Sequence, residues 1–181
     1  MLQKLIPLFL LVLTFSSCTK KRDLNEKVLH LTVESKVKGL DPINTGDTYS
    51  STEVARVYEG LLQYHYLKRP YELIPNLAKE MPEISKDELT YTFKLKEGVL
   101  FHDNKCFKDG KGREMVAQDV VYSIKRLADP KNNAIGWWIL DGKLEGLNEW
   151  REKQKELEKT NYDEEVSGIK ALDKYTVQFK L

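Results

Sequence analysis

Residues Asp87–Asp103 read DELTYTFKLKEGVLFHD, and the parsing of the whole chain hangs on them. Leu89, Tyr91, Phe93 and Leu95 alternate with Thr90, Thr92 and Lys94. A period of two sends one row of side chains into a core and the other into water, so a half-buried strand is expected. A strand needs neighbours, because its backbone N–H and C=O groups must be bonded when water is excluded. The closing stretch KALDKYTVQFKL shows the same alternation in Tyr175, Val177, Phe179 and Leu181. Val166–Leu181 therefore reads as a strand pair around Leu172-Asp173-Lys174.

Between these strands the period changes. Phe101–Gly112 (FHDNKCFKDGKG) has the composition of a loop. Glu114–Ala128 then reads as a helix with Val116, Val120, Ile124 and Leu127 as its buried stripe, ended by Asp129-Pro130. Lys143–Lys159 reads as another helix, laced by Glu149–Lys153, Glu152–Lys155 and Glu156–Lys159 pairs. Its apolar face (Leu144, Leu147, Trp150, Leu157) is thin, which predicts a peripheral position.

Toward the amino terminus, Val28–Glu34 reads as a strand and GLDPINTGDT as a turn-rich segment. Ser50–Leu62 is expected to be a helix, opened by a Ser50/Glu53 capping box and closed at Gly60. Leu62, Tyr64 and Tyr66 alternate, Arg69-Pro70 turns the chain, and NLAKE between Pro75 and Pro82 reads as one helical turn. Strands and helices mix without a βαβ repeat, so the fold class is α+β.

The first residues carry a different message. Lys4 precedes an apolar run from Leu5 to Phe15, and Ser16-Ser17-Cys18 follows. The run is shorter than the roughly 20 residues that span a bilayer, and its layout is that of an export signal over residues 1–17. LTFSSC resembles a lipobox, which makes Cys18 the candidate acylated residue and 18–27 (CTKKRDLNEK) a polar tether. Cys106 then has no partner for a disulfide. The net charge of +1, with both signs interspersed, points away from nucleic acid.

No catalytic constellation stands out. His30, His65 and His102 are scattered, with no HExxH, no GxSxG and no phosphate-binding glycine loop. Cys106 and His102 lie four apart on a loop, a spacing that carries little information there. No metal and no cofactor is implied.

The order of short blocks is more specific than any one of them. LDP, YEGLL, IPNLAKEM, DELTYTFKLKEGVLFHD, AQDVVYSIKRLADP and IKALDKYTVQFKL occur in that succession. The chain from Val28 to Leu181 resembles the amino-terminal portion of the extracellular solute-binding proteins of peptide and nickel ABC transporters, solute-binding family 5. It departs from the family's pattern at Asn104 (Gly in the family), Val116 (a capping Ser or Thr) and Met81 (Trp). All three departures touch turns and packing.

The resemblance implies a partial type II periplasmic-binding-protein fold: the first strand of lobe one plus the inserted subdomain, with the second lobe absent. It implies a non-enzymatic, exported, lipid-anchored subunit that captures a peptide and works with ABC transporter permease subunits. The alternative is a truncated surface lipoprotein without ligand capture. Among relatives the ligands include peptides, nickel complexes, opines and haem, and the choice stays open here. Carried onto this chain, the peptide-facing segment is Thr45, Gly46, Asp47 and Thr48, paired through backbone with an extended peptide. Asp47 is expected to meet a ligand amine. Of the adjacent Trp137 and Trp138, one is expected in the core and the other at the ligand, with Trp137 favoured for the ligand.

Overall fold

The alternation at Leu89–Leu95 does build a strand, and its partner is the closing one. The computed structural model describes residues 27–29, 31–32 and 35–181. The signal peptide, Cys18 and the tether up to residue 26 lie outside the described residues. The chain divides into Met1–Glu34 and Ser35–Leu181, and every element below belongs to the second unit. In the first unit, the strand expected at Val28–Glu34 is described only in part. Val28, Leu29, Leu31 and Thr32 are exposed and carry no strand structure, which exists only through pairing.

The second unit runs α1 (Thr48–Ala55), β1 (Leu62–Tyr64), β2 (Leu73–Pro75), β3 (Glu83–Ile84), β4 (Thr90–Lys94), α2 (Ala117–Ala128), α3 (Leu147–Glu156), β5 (Ile169–Asp173) and β6 (Thr176–Lys180). Four strands form an antiparallel sheet in the order β3-β4-β6-β5, and β1 and β2 form a separate pair. Phe93 faces Val177, which faces Ala171, and Tyr91 faces Phe179, which faces Ile169. Residues directly opposite share a face, so these six make one apolar surface. Thr92 and Gln178 share the other face, where the Gln178 amide donates to Thr92 Oγ1 at 3.1 Å.

Helices α2 and α3 cover the apolar face, with Leu95, Val121, Leu147, Trp150, Val166 and Val177 at the centre of the core. The buried residues of α2 are Ala117, Val121, Lys125 and Ala128, one position on from the expected stripe. Small alanines let the helix approach the sheet closely, and the Lys125 stem packs as hydrocarbon. Val120 and Ile124 flank that contact and are partly buried. The helix starts at Ala117 rather than Glu114, because Asp119 reaches back to accept the Val116 N–H at 2.9 Å.

Helix α3 is shorter than expected and is no peripheral element. Leu144, Leu147 and Trp150 are buried in the main core, and only the Leu157 end stays open. Gly146, at φ 72°, supplies the left-handed residue from which the helix starts. Of the expected pairs, Glu152–Lys155 forms at 2.6 Å, while Lys153 turns to Glu164. NLAKE forms no helical turn; Ala78 makes a β-bridge with Leu95 instead.

Glu114 pins three segments together ahead of α2. It accepts the Gly98 N–H at 2.6 Å, the Tyr175 hydroxyl at 2.9 Å and the Lys174 ammonium at 2.7 Å. These partners, the Lys174 ammonium foremost, hold its carboxyl down at about 2.

Candidate ligand-binding face

The turn formers of GLDPINTGDT fold as a 3-10 turn at Pro42–Asn44 that runs into α1. Asp41 caps this turn: its Oδ1 accepts the Ile43 N–H at 3.3 Å, and its backbone carbonyl accepts the Asn44 N–H at 3.1 Å. Ile43 is the buried foot of the turn. Thr45 and Asp47, on either side of Gly46, both have extended backbone, with φ and ψ of −93° and 109° and of −122° and 153°.

Helix α1 starts earlier than the sequence suggests. Asp47, not Ser50, is the cap: its Oδ1 accepts the Ser50 N–H and its Oδ2 the Ser50 hydroxyl, both at 2.9 Å. An aspartate in this place satisfies an otherwise orphaned helical N–H. The Ser50 N–H, and after it the Ser50 hydroxyl, keep the Asp47 carboxyl below its ordinary range, and Lys38 Nζ stands 3.7 Å away. A ligand amine at Asp47 would therefore join existing partners. The helix ends at Ala55 with tightened bonds from Arg56 and Val57 N–H, well before Gly60. Val57 and Tyr58 are exposed, so no packing rewards a longer helix.

A second 3-10 turn, Ile135–Ile139, packs against the first. Gly46 lies close to it: an added Cβ there would sit 3.1 Å from Ile135 Cδ1 and 3.3 Å from its Cγ2. The fold thus brings the Thr45–Thr48 segment beside the tryptophan turn. Trp137 is partly buried against the core, with the Arg151 guanidinium 4.5 Å from its ring centre. Trp138 is 73% exposed. The pair therefore divides into one core and one open residue, and Trp137, the residue favoured from sequence, is on the core side.

Sequence reasoning missed what holds the face in place. Arg126 on α2 extends its guanidinium to Asp41, with Nη2–Oδ2 at 2.7 Å and Nη1–Oδ1 at 3.4 Å. Asp41 reads locally as a turn former, and nothing in the sequence marks a partner 85 positions away. Beyond Arg126, the end of α2 carries a buried polar node. Asp129 accepts the Thr160 hydroxyl at 2.9 Å, the Tyr162 hydroxyl at 2.6 Å and the Lys131 N–H at 2.9 Å. Lys125, 3% exposed, donates to the carbonyls of Tyr162 and Glu164 at 2.9 and 2.7 Å. Burial pushes its pKa below the ordinary lysine range, while the acidic run Asp163–Glu165 opposes that push.

A sizeable cavity lies elsewhere among the described residues. An open apolar groove of about 600 Å³ runs past Tyr58, Leu61, Phe101, Phe107, Met115 and Ile124, and none of the sequence-predicted residues lines it. His102 reaches its rim, and Cys106 is exposed on the neighbouring loop with its N–H on Asn104 Oδ1. Among the described residues, no group of three His, Cys, Asp or Glu side chains is placed to hold a metal. No described helix is long and apolar enough to cross a membrane.

Comparison with known proteins shows the family. The family described as "Bacterial extracellular solute-binding proteins, family 5 Middle" matches residues 72–181. The dipeptide-binding protein of Escherichia coli is 33% identical over 171 residues, covering 93% of this chain and 29% of the relative. The oligopeptide-binding protein AmiA of Streptococcus pneumoniae is 34% identical over 110 residues, covering 60% of this chain and 15% of its own length. Among solved structures, Listeria monocytogenes OppA bound to peptide superposes with a TM-score of 0.63 at 28% identity, over 87% of this chain and 27% of that one. The chain therefore spans less than a third of the length of the relatives it matches.

Proposed function

The chain belongs to the bacterial extracellular solute-binding proteins of family 5, and on that premise we propose that it contributes part of a peptide-capturing cleft to an ABC importer. The observation that carries this reading is the glycine-containing segment that enters α1 at Thr48, extended at Thr45 and Asp47 and set against the tryptophan turn. Extended backbone is what a peptide needs in order to pair as an added strand, and such pairing ignores peptide sequence. Asp47, an anion held by Ser50, faces the peptide amine, and the tryptophan turn supplies the aromatic wall, with Trp138 open and Trp137 half-buried behind it. The named ligands of the dipeptide- and oligopeptide-binding relatives favour peptides over other solutes. Transport energy would come from the partner ATPases, with this subunit supplying capture and delivery to the permease.

An amide-shift titration of the chain with tri- and tetra-alanine tests the reading. The expected result is weak, saturable shifts at Thr45–Thr48 and at a tryptophan indole, because one open face buries only one side of a ligand. Shifts confined to the groove around Phe101, or none at all, overturn it.

We further propose that the exported protein is held at the membrane by acylation of Cys18. Cys18→Ser should release it into the soluble fraction. A protein that stays on the membrane after that change has another anchor.

A further inference from the structure

Two separate segments make up the candidate face, and one residue is bonded just ahead of each. The Arg126 guanidinium grips the Asp41 carboxylate that caps the Pro42–Asn44 turn, at 2.7 and 3.4 Å. The Arg126 backbone carbonyl accepts the Asn132 side-chain N–H at 2.9 Å. Asn132 closes the Pro130–Asn132 turn, from which the chain passes into the tryptophan turn Ile135–Ile139. The same Asn132 amide reaches the Tyr162 hydroxyl at 3.3 Å, and Tyr162 ends on buried Asp129. An unbroken path thus leads from the 41–48 segment into the buried node at the end of α2.

We infer that Arg126 is a positioning residue that sets the placement of the Asp41–Thr48 segment relative to the tryptophan turn. A guanidinium suits this task because its planar fork fixes direction as well as distance, whereas an ammonium fixes distance alone. Its other described supports are the buried foot Ile43, local caps, the Lys38–Asp47 pair at 3.7 Å and the approach of Gly46 to Ile135. Asp41 and Arg126 also shift each other in the expected sense, the carboxyl down and the guanidinium up. The inference rests on the reading of this face as ligand-facing only for its consequence in binding. The strap itself is tested separately.

The test is amide hydrogen exchange on the full chain carrying Arg126→Ala, Arg126→Lys or Asp41→Asn, followed by the alanine-peptide titration. Exchange at Ile43 and Asn44 should quicken about tenfold in Arg126→Ala, the loss of roughly one charge-assisted hydrogen bond. Amides of β4 and β6 should keep their rates, and Arg126→Lys should fall between. Asp41→Asn, at a part-exposed site outside the core, should reproduce the effect if Arg126→Ala folds poorly. Unchanged exchange at Ile43 and Asn44, or equal acceleration throughout the sheet, overturns the inference. Local acceleration with an unchanged titration upholds the strap and overturns the ligand-facing reading.

Discussion

Helix α3 presents Leu147 and Trp150 to a core that excludes water, whereas the segment entering α1 offers one buried isoleucine and a row of polar bonds. Apolar burial scales with area and is indifferent to direction. Polar bonds are directional, and removing one partner strands the other. The sheet and its two helices are thus a rigid base, while the candidate face is held by a few replaceable contacts. Sites that must respond to a ligand are drawn from this less stable end of a structure.

The contrast can be broken from the core side first. Trp150→Ala removes a large buried side chain and should cost about 3–5 kcal/mol in denaturant unfolding. A loss below about 1 kcal/mol would place α3 outside the core after all. Next in size is Asp129→Ala, which leaves the Thr160 and Tyr162 hydroxyls without their acceptor. About 1–3 kcal/mol should be lost by the same measurement. An unchanged midpoint would mean that the node is decorative.

A smaller effect should follow pH. Glu114 has its carboxyl lowered from 4.5 to about 2 by the Lys174 ammonium, then by the Gly98 N–H and the Tyr175 hydroxyl. Its contribution is therefore present above 4.5 and lost as pH falls through about 2. Thermal melts of Glu114→Gln should lie below wild type near neutrality and converge with it at the acid end. Parallel curves would show that the carboxylate gives nothing. The smallest global change is expected for Asp47→Ala. It should speed exchange of the first α1 amides while leaving the unfolding midpoint nearly where it was. A large drop in that midpoint would erase the distinction between face and base.

Period-two alternation made β4 and the β5–β6 pair legible, because a half-buried strand has no other way to sort its side chains. Helix faces were less legible. Counting bulky residues on α2 selected Val116, Val120, Ile124 and Leu127, but the close contact uses Ala117 and Ala128 with the stem of Lys125. Size and burial part company wherever backbones must approach. On α3 the thin apolar face pointed to a periphery, yet Leu147 and Trp150 suffice to anchor it. The candidate segment was found through resemblance. Its Asp41–Arg126 strap was invisible because ion pairs between distant residues leave no local pattern. The capping of α1 was misplaced because Asp47 and Ser50 are both good caps, and only the observed bonds rank them.

The order of strands in the sheet has a consequence for how the chain reaches its native state. β5 and β6 adjoin in sequence and can zip as a hairpin in about 1–10 μs. β4 has to meet β6 across a long intervening stretch; the Thr92–Gln178 bond spans 86 positions. Loop-closure entropy is spent there before any ladder bond returns it, and topologies of this sort fold slowly. Until β6 docks, the apolar row of β4 lacks its central neighbour. The docking of β6 is therefore the step that joins the β3–β4 side of the sheet to β5.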